Sequence, residues 1–188
     1  MKSVLILVLI SLSLCFPGNW QRRSINENSL DIEQAFKLAS SNYAKTNGVE
    51  VDDLIRLTVY SQVVNGMNYN VTFIDSSSEN PKIQEYKIYK SLDNSNDNQF
   101  QIVNHEVFEA KGDLISINDP KFSELQNSLF SFLKNTNERL NFISNAYPIE
   151  NYATNFYVIS ANTIDGQHQY IVCQDKDSED YYLFNKLK

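Results

Sequence analysis

The sequence predicts an α+β fold: a long helix packed on an antiparallel sheet, built twice in tandem, with the second unit incomplete. Three observations predict it. Residues 30–43 carry apolar side chains at helical spacing. On both sides of Asn65-Gly66, apolar residues alternate with polar ones, the signature of two strands joined by a tight turn. After Asp119-Pro120 the same order, helix and then hairpin, comes round again. The division that follows is a leader over residues 1–15, a first unit over 16–118 and a second over 119–188.

Composition supports a packed chain. Of 188 residues, 42% are hydrophobic and 12% aromatic, which suits a buried core rather than disorder. The net charge is −7, and Arg22-Arg23 is only a pair, so no basic cluster exists to neutralise phosphates. This argues against nucleic acid as a partner.

The leader has the form of a secretory signal. Lys2 supplies the positive charge, and residues 4–14 are apolar except Ser11 and Ser13. Ser13 and Cys15 stand at −3 and −1 of a cut before Phe16. The run is too short to span a bilayer comfortably, so no membrane association is expected in the mature form. A lipoprotein signal would need a small residue where Leu14 stands. The expected destination is extracellular, or the lumen of a lytic or secretory compartment. Cleavage removes one of the two cysteines and leaves Cys173, so no internal disulfide is expected. Cys173 lies in the apolar run of residues 170–173 and is read as a small core residue rather than a catalytic thiol.

The elements of the first unit follow in order. Pro17 and Gly18 make the new N-terminus irregular, and Trp20 is expected to pack on the body. Ile32, Ala35, Phe36, Ala39 and Tyr43 share one helix face, with Ser29 as cap and Asn47-Gly48 as terminator. Ile55, Leu57 and Val59 alternate before the turn; Met67, Tyr69, Val71 and Phe73 alternate after it. Gly66 supplies the positive φ that the turn needs. Residues 76–81 form a polar loop, 83–90 a strand, 91–98 a second loop and 100–108 a last strand. Asn70-Val71-Thr72 is a glycosylation sequon on what the alternation makes the polar face.

The tip, Gln62-Val63-Val64-Asn65-Gly66, resembles the Gln-x-Val-x-Gly hairpin of the cystatins, protein inhibitors of papain-like cysteine proteases. The surrounding order resembles that family too: a short trunk with a glycine at Gly18, one long helix, the first hairpin, and a second hairpin entered through residues 86–92. Leu92-Asp93 stands where the disulfide-free, stefin-like branch commonly has Leu-Pro, and the Pro-Trp pair of the secreted branch is missing. The resemblance implies a reversible, competitive inhibitor whose trunk and two hairpins fill the cleft of a papain-like (cathepsin-L-like) protease. The contact residues it implies are Gly18, Gln62, Val63, Val64, Asn65, Gly66, Leu92, Asp93 and Asn94. No cofactor is implied. The competing expectation is a non-inhibitory, cystatin-like binding module; the missing proline and the odd second unit favour it.

In the second unit, Phe122, Leu125, Leu129, Phe132, Leu140 and Ile143 predict a long helix that Pro148 ends. Strands are expected over 156–161, 168–173 and 181–184. A shift of one hundred residues sets Gly166 on Gly66 and Asn162 on Gln62, which predicts a degenerate second cystatin-like unit, one strand short, whose second hairpin only begins at Lys188. It is expected to dock on the first unit or on another chain. An enzyme is not expected. His105 and His168 each stand alone in a strand, and His168 and Cys173 fall on opposite faces. No zinc spacing or phosphate loop is present.

Overall fold

The computed structural model describes residues 19–23, 29–78, 82–92, 99–109, 113–134, 136, 138–150, 154–176 and 181–187. The leader, Gly18, Asp93 and Asn94 lie outside the described residues. The fold is α+β, with two helices each packed on an antiparallel sheet.

The first unit runs β1 (Gln21–Arg23), α1 (Leu30–Asn47), a 3-10 turn (Val51–Asp53), β2 (Leu54–Val64), β3 (Gly66–Asp75), β4 (Ile83–Lys90) and β5 (Phe100–Phe108). The five strands form sheet A in sequence order. Ser29 Oγ accepts from the Ile32 N–H at 3.3 Å to start α1, and Gly48 ends it with φ 69°. The helix is one turn longer than the apolar stripe to Tyr43 predicts. Ala44 extends the buried face, while Thr46 and Asn47 donate back to the carbonyls of Asn42 and Tyr43. The α1 face closes on Val59, Val71, Phe73, Tyr86 and Ile88. Phe73 centres that core, edge-on to Phe36 and Tyr43 and stacked on Tyr86. Strand β1, which the sequence pattern does not predict, follows directly on Trp20, and its residues pair with Ser61, Tyr60 and Val59.

The second unit runs α2 (Pro120–Leu133), β6 (Leu140–Glu150), β7 (Thr154–Thr163), β8 (Gly166–Asp175) and β9 (Tyr181–Leu187), and its strands form sheet B in sequence order. Asp119 caps α2, accepting from the Lys121 N–H at 2.9 Å, with Pro120 at the first turn. The predicted helix to Ile143 is overturned. The helix stops at Leu133, and Leu140, Phe142 and Ile143 belong to a strand. Register shifts between Leu140 and Phe142 and between Ile143 and Asn145 put Leu140, Ile143 and Ala146 on one face. Two bulges thus turn a period of two into a period of three, which imitates a helix. Pro148 does not end the element. It sits in β6, an edge strand, where a missing N–H is tolerated.

The strand added by β6 also corrects the hundred-residue alignment. By element order, α2-β6-β7-β8-β9 corresponds to α1-β2-β3-β4-β5. Sheet B has one strand fewer than sheet A, but the strand without a counterpart is β1, and β9 completes the second hairpin. The turn at Gly166 corresponds to the β3–β4 connection, at the opposite end of the sheet from the first hairpin.

The two sheets pack face to face, so the layers are α1, sheet A, sheet B and α2. Leu57, Ile74 and Ile83 of sheet A meet Ile149, Phe156, Val158, Ile171, Cys173 and Leu187 of sheet B. A bulge at Leu57 turns that residue away from the α1 face that Val59 occupies. Burial maps the contact. Residues 71–75 and 83–86 are buried at every position, whereas 66–70 are not. Sheet B therefore covers the far half of sheet A and leaves the Asn65 end free. The sequon lies on the covered side: Thr72 is 1% exposed, and Asn70 Oδ1 is buried without a hydrogen-bond partner among the described residues.

Candidate functional site

The free end of sheet A collects three segments. The β2–β3 register pairs Val63 with Met67 and Val64 with Gly66, leaving Asn65 alone at the tip. Strand β4 arrives beside it, with Lys90 paired to Met67, and Ser91 N–H donates to the Gln99 carbonyl at 2.9 Å to close the second hairpin at the same end. Strand β1 runs antiparallel to β2, so the direction from Gln21 to Trp20 is toward the Gln62 end of β2.

Apolar side chains stand in solvent at this end: Val63 is 62% exposed, Leu92 67% and Trp20 37%. Leaving such groups exposed on the rigid end of a sheet is unfavourable unless something covers them. Gln62 is turned back into the strand pair, its Oε1 accepting from Asn68 Nδ2 at 3.3 Å.

Gly66 explains the shape of the tip. Its φ is 135°, a conformation side chains rarely adopt. A Cβ there would lie 2.5 Å from the Lys90 carbonyl oxygen and 2.7 Å from the Tyr89 ring. Tyr89 Oη in turn donates to the Asn65 carbonyl, so β4 grips the turn from beside it. The end of β4 is held to α1: Lys90 Nζ lies 2.6 Å from Asp31 Oδ2, which also accepts from Tyr69 Oη at 3.1 Å. Half-exposed ion pairs of this kind contribute under about 1 kcal/mol. Their effect here is to fix position. Tyr89 and Lys90 are the tip residues that sequence reasoning missed. The only signal was their place in β4 just before Leu92.

The expected contact set therefore divides. Gln62, Val63, Val64, Asn65, Gly66 and Leu92 are brought to one end. Gly18, Asp93 and Asn94 fall outside the described residues.

Other polar groups lie elsewhere. A recess of about 370 Å³ opens at the far end of sheet A, lined by Tyr43, Asp75, Gln84 and His105 among others. Burial raises the Tyr43 pKa, helped by the Asp75 carboxylate it bonds at 3.4 Å. Burial lowers that of His105, which stacks on Tyr86 at 4.1 Å and bonds Gln84 at 2.9 Å. Cys173 belongs to the inter-sheet core, while the His168 ring lies edge-on to Tyr170 on the α2 side. Among the described residues, no three His, Cys, Asp or Glu side chains gather as a metal site.

Neither a protein-family model nor a curated protein matches the chain.

Proposed function

We propose that the protein is a secreted, reversible and competitive inhibitor of papain-like cysteine proteases, acting as a cystatin-like wedge. The observation that carries this reading is the convergence of the tip around Gly66, the start of the second hairpin at Leu92 and the trunk-bearing strand β1 on the one end of sheet A that sheet B leaves free. The action is steric. Val63 and Leu92 enter the cleft as apolar contacts, and the tight backbone at Asn65-Gly66 approaches its floor. No peptide bond is offered to the nucleophile, so the inhibitor leaves intact. A wedge held by Tyr89 and Lys90 is already in its bound shape and loses little entropy on docking.

The test uses an exposed side chain at the tip. Val63→Asp places a carboxylate where an apolar contact is required. It should weaken papain inhibition about 30-fold or more, with the unfolding midpoint unchanged. Equal inhibition by Val63→Asp and wild type would remove the tip from the binding surface. No inhibition by folded wild type, with retained binding of some other protein, would favour the non-inhibitory module.

A further inference from the structure

Strand β1 has three residues and one neighbouring strand, β2. So short an edge strand is weakly held by its own ladder. Sheet B supplies the rest of the hold. Arg22 and Tyr60 face each other across β1 and β2. Both side chains leave sheet A on the same side and reach the second unit. The Arg22 guanidinium lies 4.3 Å from the centre of the Tyr182 ring and donates toward Cys173 Sγ at 3.8 Å. Tyr60 Oη shares a hydrogen bond of 2.9 Å with Thr154 Oγ1. These contacts lie at the border between the covered half of sheet A and its free end. Two residues before Arg22, Trp20 has Lys87 Nζ 5.4 Å from its ring centre.

We propose that the second unit positions the N-terminal trunk of the wedge, with Arg22 as the positioning residue clamped between Tyr182 and Cys173. This rests on the inhibitor reading of the free end. A planar guanidinium suits the task because it stacks on an aromatic face and donates in its own plane at once. A trunk held at its root enters a cleft with less freedom to lose.

Trp20 is the only tryptophan of the chain and reports on the trunk directly. The experiment measures acrylamide quenching of Trp20 and inhibition of papain for residues 16–188 as wild type, Arg22→Ala, Arg22→Lys and Tyr182→Leu. Arg22→Ala and Tyr182→Leu should each shift Trp20 quenching toward that of free tryptophan and weaken inhibition about three- to tenfold. Arg22→Lys, which keeps a cation over the ring but loses the planar stack and the in-plane donation, should recover only part of both. Tyr182→Leu keeps apolar bulk, so a general loss of packing would not reproduce its effect. Unchanged quenching in Arg22→Ala overturns the clamp, and weakened inhibition with unchanged quenching overturns it too, by making Arg22 a direct contact. If wild type does not inhibit papain while quenching still rises in both variants, the clamp stands and the proposed function falls.

Discussion

Gly66 and Gly166 lie one hundred residues apart, each opens the second strand of a hairpin, and each has a positive φ, 135° and 127°. Their surroundings differ. A Cβ on Gly66 would run into the Lys90 carbonyl and the Tyr89 ring, whereas a Cβ on Gly166 meets nothing within 4 Å. The first hairpin is braced by a neighbouring strand and held in one shape. The second, closing between Thr163 and Gly166 around Ile164 and Asp165, is a two-residue turn whose Ile164 N–H donates to the Arg139 carbonyl at 3.1 Å, on the side away from its glycine. The same local chemistry serves a fixed end in one unit and an ordinary reversal in the other. What separates them is where the third strand lies: β4 packs on the glycine of the first turn, whereas β6 flanks the second turn and leaves its glycine open.

The largest test of this pairing asks whether the units are separable at all. Phe156 is fully buried where the two sheets meet. Phe156→Ala should lower stability by about 3–5 kcal/mol, read as a shifted urea midpoint in one cooperative transition. Two separate transitions in the wild type would mean that the units fold independently and that sheet B is no support for sheet A.

The glycines themselves come next. Gly66→Ala combines backbone strain with a clash against backbone and should destabilise by about 2–4 kcal/mol. Gly166→Ala carries the strain alone and should destabilise by about 1–2 kcal/mol. Equal thermal shifts for the two variants would show that the brace by β4 has no weight.

These contrasts were partly legible in the sequence. The bounds of β4 and β5 follow from period two between polar loops, and the Ser29 and Gly48 caps of α1 follow from residue type. Strand β6 was hidden because its two bulges space Leu140, Ile143 and Ala146 like a helix face, and because Pro148 reads as a breaker unless the strand is known to be an edge. That hidden strand displaced the repeat by one element and set Gly166 against the wrong turn. The tip letters from Gln62 to Gly66 were visible, but the grip of Tyr89 on Asn65 joins residues 24 apart, and no local pattern encodes it. The covered face at Thr72 was invisible for the same reason, since the alternation shows which residues share a face and not what lies over it.

The smallest effect concerns pH and belongs to the first unit. Burial against Tyr86 lowers the pKa of the exposed His105 below its usual 6.5. The unfolded chain then binds this proton at a higher pH than the folded one, so stability falls as pH drops through the unfolded value and levels off below the folded one. The ring is solvent-exposed, so the change should stay under about 1 kcal/mol. His105→Gln should flatten that part of the stability profile between neutral and mildly acid pH. A profile that keeps its slope in the variant would assign the titration to another group.

The central claim is that the braced end around Gly66, and not the turn at Gly166, meets a protease. Its most direct test is titration of papain with wild type, Gly66→Ala and Gly166→Ala, each confirmed folded at the assay temperature. The account predicts competitive inhibition by wild type and Gly166→Ala alike, and a marked loss in Gly66→Ala. Equal inhibition by all three, or none by folded wild type, would contradict it.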